Sequence, residues 1–195
     1  MIAHPEDARP REEMAYAELL RRAQNGDTGA FEEILIRYER LVFHVAYRLL
    51  GNPDDAEDAA QEVFLRLYRR IDRIDPHRPL RYWLYRVTAR VCATLYRRRQ
   101  STVASSPLYP MSDPDPHTLP DHVAERAELH RLIYAGLDTL PPQERTAIIL
   151  RDLEELSTGE VAEILGIAET TVRSHIARAR LKLKHFILAR LRRPS

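Results

Sequence analysis

Between residues 27 and 50 the apolar side chains stand at Phe31, Ile34, Leu35, Tyr38, Leu41, Val42, Val45, Ala46 and Leu49, recurring every three or four positions. No other feature restricts the fold of this chain so strongly. At 3.6 residues per turn these positions merge into one stripe along a helix. The same residues laid out as a strand would scatter over both faces, because a strand alternates sides at every residue. Glycine is scarce, with 6 among 195 residues, and no stretch alternates apolar with polar residues convincingly. The chain therefore reads as all-α.

The breaks in the pattern set the element boundaries. "GNPDD" ends the long helix: Gly51 suits a left-handed C-terminal cap, Asn52 an N-cap, and Pro53 the first position of the next helix. Ala56, Ala59, Val63 and Leu67 give that helix its buried side. "DPHRP" breaks the chain again, and residues 79–99 form a further helix, with a shorter one expected at about 12–24. The texture then changes. Residues 101–121, "STVASSPLYPMSDPDPHTLPD", hold 5 of the 13 prolines among serines and aspartates, the composition of an extended linker. Fully stretched, such a linker reaches roughly 65–70 Å. Helical periodicity resumes near His122 with Val123, Leu129, Leu132, Ile133 and Leu137, and "LPPQERTAIILRDLEELS" starts another helix after Pro141 and Pro142. The expected architecture is two small helical domains joined by a flexible linker.

Net charge is only +1, but the charges are segregated. Residues 54–62, "DDAEDAAQE", carry five acids and no base. Residues 76–112 carry seven arginines and no acid, and residues 170–195 carry eight lysines and arginines and no acid. Blocks of opposite sign on one chain suggest two kinds of partner surface. The single cysteine, Cys92, leaves no internal disulfide and no multi-thiolate metal site, and its neighbours Val91 and Ala93 point to ordinary packing. The first residues lack the apolar core of a signal peptide, and no run approaches the roughly 20 apolar residues of a membrane span. A soluble, cytoplasmic protein is expected.

"STGEVAEILGIAETTVRSHIARARLKLK", residues 157–184, reads as a helix-turn-helix. Ser157 and Glu160 have the spacing of a capping box. Val161, Ala162, Ile164 and Leu165 supply the first helix's buried side, and Gly166 makes the turn. In the second helix Val172, Ile176, Ala179 and Leu183 fall within a wedge of about 60° at 100° per residue. Arg173, Arg180 and Lys184 flank one side of it, and His175, Arg178 and Lys182 the other; Ser174, Ala177 and Leu181 lie between, facing away from the core. Cations on both sides of a slim face suit a helix in a major groove with phosphates on either wall. The plain alternative is a solvated basic helix packed on its neighbours.

A second basic element, "RYWLYRVTARVCATLYRRR", interleaves Arg81, Arg86, Arg90 and Arg97 to Arg99 with Tyr82, Trp83, Tyr85 and Tyr96. Cations among aromatics suit single-stranded nucleic acid, where arginines follow phosphates and rings stack beside unpaired bases. Trp83 and some of the tyrosines equally suit a core. In the acidic block, Asp54 and Asp55 fit the N-terminal end of a helix macrodipole. Asp58 and Glu62 lie further along on one face, with Gln61 beside them, as in a protein-docking surface. An enzyme acting on nucleic acid would need a nucleophile, a metal cage or a phosphate loop. The chain has neither G-x-x-x-x-G-K-[ST] nor H-E-x-x-H, and its eight histidines are dispersed. Neither an enzyme nor a cofactor is expected, and no catalytic or metal residue is assigned. A stand-alone helix-turn-helix regulator is the alternative; it leaves the aromatic-basic helix without a task.

Four stretches, "DAEDAAQEVFLRLYR", "RYWLYRV", "LPPQERTAIILRDLEELSTGEVAEILGI" and "TTVRSHIARARLKL", resemble in their order and spacing an extracytoplasmic-function (ECF) sigma factor, the small type of bacterial RNA polymerase sigma subunit. The resemblance covers roughly residues 14–100 and 123–190. It implies a flexible tail at 1–13, sigma region two at 14–100, the linker at 101–121 and sigma region four at 122–195. Asp55, Asp58, Gln61 and Glu62 would dock on the clamp helices of the largest polymerase subunit. Arg78, Trp83, Arg86 and Arg90 would meet the promoter's minus-ten element and help open it. Thr171, Arg173, Ser174, His175 and Arg178 would read the minus-thirty-five element, while the body of region four holds the flap of the second-largest subunit. An anti-sigma protein would be a further partner, which these residues do not identify. Arg90 stands where similar proteins usually carry asparagine, Thr94 where aspartate or asparagine is frequent, His175 where arginine is common, and Ala168 where a capping residue is often found.

Overall fold

The computed structural model of the protein describes residues 9–102 and 132–191, and every regular element among them is helical. The first domain comprises α1 (Arg9–Gln24), α2 (Thr28–Leu50), α3 (Pro53–Arg70), a 3-10 turn at Ile71–Arg73 and α4 (Leu80–Thr102). The second comprises α5 (residues 132–138), α6 (Pro142–Ile148), a π turn at Ile149–Leu153, α7 (Thr158–Leu165) and α8 (Glu169–Leu191).

Local chemistry sets the ends. Asp27 caps α2 by accepting from the Ala30 N–H at 3.0 Å, and Gly51, at φ 71°, closes it with its N–H on the Tyr47 carbonyl. Asn52 caps α3 by accepting from the Asp55 N–H, and Pro53 occupies the first turn, where a missing N–H costs nothing. The stripe read from the sequence is buried: Ile34, Val42, Val45 and Ala46 of α2 meet Ala56, Ala59, Val63 and Leu67 of α3 and Leu84, Val91 and Cys92 of α4. Burial pushes the Cys92 thiol up to about 12, which makes it a packing residue and not a nucleophile.

In the second domain α5 crosses α8 closely. A Cβ on Gly136 would lie 2.9 Å from Leu183 Cδ2 and 3.2 Å from Phe186 Cδ1, so any larger residue here requires those side chains to shift.

Three boundaries differ from the sequence expectation. Helix α1 begins at Arg9, earlier than 12, because Pro10 is tolerated in a first turn. Helix α4 continues past 99 to Thr102, since nothing in Gln100-Ser101-Thr102 breaks a helix and the next proline is Pro107. The helix expected from "LPPQERTAIILRDLEELS" is α6 alone. It then widens into the π turn, in which the Glu154 N–H reaches the Ile149 carbonyl at 3.0 Å, and it ends at Glu155, whose φ is 56°. The linker beyond Thr102 and the helix start near His122 lie outside the described residues.

The two domains touch: α4 packs on α7, and α2 meets the π turn.

Candidate nucleic-acid and polymerase interfaces

On α3, Asp58 and Gln61 are exposed, and Asp55 and Glu62 are half-buried. Glu62 accepts from Arg66 Nε at 2.7 Å, one turn along the helix. Leu65, 49% exposed, continues the same face, four residues beyond Gln61 and three beyond Glu62. Gln61 also borders an open groove of about 460 Å³ between α2 and α3, with Phe43 and Phe64 in its lining and Glu39 and Arg40 at its polar edge. An acidic stripe beside an aromatic groove has the chemistry that suits a protein partner with a cationic rim and an apolar centre. The sequence reading did not include Leu65 in this face; its place three residues past Glu62 was the available signal.

Helix α4 and the turn before it carry Arg78, Arg81, Arg86 and Arg90. Trp83 is half-buried and packs against the core, so its ring is partly a structural element of the domain. Arg90 is exposed. Thr94 donates its hydroxyl to the Arg90 carbonyl at 2.9 Å, so it turns inward along its own helix. Arg78 and Arg86 are not open to solvent alone. Arg78 Nη2 lies 2.7 Å from Glu163 Oε1. Arg86 donates from Nε to the Ile164 carbonyl at 2.9 Å and from Nη2 to the Glu163 carbonyl at 2.7 Å.

The helix-turn-helix forms as its residues dictate. The Ser157 hydroxyl accepts from the Glu160 N–H at 3.2 Å while Glu160 Oε2 accepts from the Ser157 N–H at 2.7 Å, completing the capping box. The Tyr82 hydroxyl also donates to Glu160, and these bonds hold its carboxyl below the usual range against the opposing effect of burial. Gly166 turns the chain at φ 68°. In α8, Val172, Ile176 and Ala179 are buried and Leu183 is half-buried, while Ser174, Ala177 and Leu181 face outward. With Ala168 in the capping position, the start of α8 is held by backbone bonds from Thr171 and Val172 to the Ala168 carbonyl.

The flanking cations are held in place. Arg173 pairs with Glu169 at 2.7 Å, one turn back. Arg178 and Lys182 share the carboxylate of Glu144, at 3.1 Å and 2.8 Å, and Arg180 grips Asp152 with two nitrogens at 3.0 Å and 2.7 Å. Ser174 donates to the Thr170 carbonyl, and Thr171 is exposed. His175, placed on a flank by the helical wheel, is 9% exposed. It lines a cleft of about 270 Å³ between α4 and the second domain, together with Arg86, Arg90 and Thr171, and its Nδ1 lies 3.0 Å from Arg178 Nη2. A single-helix wheel cannot register that second wall.

Residues 34–102 match the Sigma-70 region 2 family and residues 130–183 the Sigma-70, region 4 family. The chain belongs to the sigma-70 family.

Its relatives place it in the ECF group. It is 34% identical over 170 residues to the ECF RNA polymerase sigma factor SigE of Mycolicibacterium smegmatis, covering 83% of this chain and 64% of that protein's length. It is 33% identical over 181 residues to the ECF RNA polymerase sigma factor SigW of Bacillus subtilis, covering 88% of this chain and 96% of that one. Among solved structures it is similar to CnrH in complex with the cytosolic domain of CnrY, with a TM-score of 0.68 and 27% identity over 90% of this chain and 98% of that chain. The stand-alone regulator fails on the same observation, since it has no place for a sigma region 2 over residues 34–102. Among the described residues no helix is long and apolar enough to cross a membrane.

Proposed function

We propose that this ECF sigma-family chain binds bacterial core RNA polymerase, brings it to specific promoters and helps to open them. The supporting observation is the distribution of charge over two domains: an acidic, groove-bordered face on α3, a cation-rich α4 on the same domain, and α8 on the other with a slim outer face between rows of cations. Residues 14–100 act as region two, residues 122–195 as region four and residues 101–121 as the linker between them, with helix α1 extending region two back to Arg9 and α4 carrying it on to Thr102.

On this reading Asp55, Asp58, Gln61 and Glu62 dock on the largest polymerase subunit, with Leu65 as the apolar centre of the contact. Carboxylates steer the encounter, and the leucine loses water on docking. Arg78, Trp83, Arg86 and Arg90 face the minus-ten element. Arginines there hold phosphates of the separated strand, and an aromatic edge can stack against a base turned out of the duplex. Thr171, Arg173, Ser174 and Arg178 sit at the groove-entering part of α8 and face the minus-thirty-five element, whereas His175, expected among them, is buried against the cleft toward α4. The chain itself does no covalent chemistry and needs no cofactor; catalysis belongs to the polymerase, in whose compartment, the cytoplasm, it acts. An anti-sigma protein is a further partner of this reading.

The test is run-off transcription with purified bacterial core polymerase, with and without this protein, on a genomic promoter library. Discrete transcripts that require the protein are expected. Specific duplex binding by the free chain with no transcript from any core preparation would overturn the reading.

A further inference from the structure

Helix α1 carries none of the residues expected to meet DNA or polymerase, yet its last side chain, Gln24, reaches across the domain. Gln24 is half-buried, and its Nε2 lies 2.8 Å from the Ile71 carbonyl and 2.7 Å from the Ile74 carbonyl, 47 and 50 positions along the chain. Carbonyl oxygens only accept, so the amide nitrogen must face this pair, with one of its two hydrogens for each. The two carbonyls stand where α3 runs out through the 3-10 turn, and the last carbonyls of a helical segment lack partners within it. Gln24 supplies them from another helix.

The brace has a fixed base. The Asn25 N–H returns to the Arg21 carbonyl at 3.0 Å, and Gly26 turns the chain at φ 88°. Asp27 takes Arg22 on two nitrogens, at 2.9 Å and 2.7 Å, while capping α2. Leu20 and Ala23 of α1 are buried, and the helix packs on the 3-10 turn. What leaves the brace is short and stiff. Between Ile74 and Leu80, both buried, stand Pro76 and Pro79, whose rings fix φ. Asp75 Oδ1 accepts from the His77 N–H at 2.9 Å, and the Asp75 carbonyl accepts from the Arg78 N–H at 3.1 Å, which closes the turn. His77 and Arg78 are exposed at its tip. A change of direction at Ile74 therefore reaches the Arg78 guanidinium with little slack.

We propose that Gln24 is a positioning residue for promoter opening: by holding the Ile71 and Ile74 carbonyls it sets the direction in which the turn at 75–79 presents Arg78 to the separated strand. This rests on the reading of that turn and α4 as the minus-ten face. Gln24 itself touches no DNA. Without its donors the two carbonyls turn to water, the loop takes up further directions, and the productive one is populated less.

The test uses holoenzyme reconstituted from core polymerase and the full chain, on a promoter recovered by the run-off assay. Wild type is compared with Gln24→Glu, Gln24→Leu, Gln24→Lys, Arg78→Ala and the double variant Gln24→Glu with Arg78→Ala. Glutamate keeps the shape of glutamine but offers only acceptors, leucine offers neither, and the lysine ammonium again donates to both carbonyls. Opening is read from the permanganate reactivity of unpaired thymines in the minus-ten element, and core capture is measured alongside. Gln24→Glu and Gln24→Leu should each lose about tenfold in open complex, the worth of one to two neutral hydrogen bonds, with core capture unchanged within about twofold. Gln24→Lys should recover most of the loss, and the double variant should open as well as Arg78→Ala alone, because one side chain acts through the other. Core capture that falls with opening in both donor-less variants, a lysine variant as impaired as they are, or losses that multiply in the double variant would make Gln24 a general support of the domain and overturn the inference. Normal opening by Gln24→Glu and Gln24→Leu beside an impaired Arg78→Ala also overturns it and leaves the minus-ten reading intact. Normal opening by Arg78→Ala overturns that reading of the turn, and the inference with it.

Discussion

Replacing Glu144 with glutamine tests how the recognition helix is held. The Glu144 side chain on α6 is 7% exposed and accepts from two residues of α8, Arg178 Nε at 3.1 Å and Lys182 Nζ at 2.8 Å. A hydrogen bond involving a charged group contributes about 1.5–3 kcal/mol. Both cations are about half exposed, at 54% and 45%, and solvent screening reduces the pair to about 2–3 kcal/mol together. Glutamine keeps the shape and one acceptor but loses the charge, so Glu144→Gln should cost about 2 kcal/mol at neutral pH. In urea, with a slope of about 2 kcal/mol per molar, the midpoint should fall by about 1 M. The pH dependence has a definite sign. Burial pushes this carboxyl up, but the bonds from Lys182 and Arg178 overcome it and hold the folded group below its ordinary 4.5. A depressed folded pKa gives stability that is complete above the unfolded value and is lost as pH falls through the folded one. The gap between wild type and Glu144→Gln should therefore be full at pH 7 and shrink below pH 4.5. Equal midpoints at pH 7, or a gap undiminished at about pH 3.5, would refute the ionic account of this crossing.

Three further outcomes are expected. Gly136→Val should destabilise the second domain by about 1–3 kcal/mol, read from its melting, because even a Cβ would lie 2.9 Å from Leu183 and 3.2 Å from Phe186; an unchanged melting temperature would mean that α5 and α8 separate freely. Asp58→Lys combined with Glu62→Lys should weaken capture of core polymerase while changing stability by under about 0.5 kcal/mol, as surface substitutions do; undiminished capture would remove α3 as the docking face. On promoter templates, Arg90→Ala should be partly rescued by a pre-melted bubble and Arg173→Ala should not, because on the proposed reading only the first acts on the opened strand; equal rescue of both would end that division of labour.

Much of the fold was legible because its signals are local. Gly51, Asn52 and Pro53 end one helix and start the next through bonds that span four residues or fewer, and Ser157 with Glu160 does the same for α7. The buried stripes of α2, α3 and α8 follow from 3.6-residue periodicity alone. The π turn after α6 was not legible: it depends on which carbonyl the Glu154 N–H reaches, and "AIILRDL" is compatible with an ordinary helix. For the sites, the sequence identified which helices carry the cations and acids, but not what those groups touch. Between Arg151 and Arg173 the chain holds Asp152, Glu154, Glu155, Glu160, Glu163 and Glu169 and no base. Of that block, Glu154, Glu160 and Glu163 meet side chains of the first domain, while Asp152 and Glu169 pair with arginines of α8.

The sequence by itself determined the all-α class, the cap and turn residues, the helix-turn-helix and the segregation of charge. Each is fixed by residues within a turn or two of one another, so neighbours in sequence suffice to state it. Only the tertiary structure decided the partners of Arg86, Arg145 and His175. Arg86 meets carbonyls 77 and 78 positions away, and Arg145 a carbonyl 96 positions away. Such contacts depend on how the two helical domains lie against each other. Helical periodicity specifies which face of a helix is apolar and is silent about which distant surface will cover the rest.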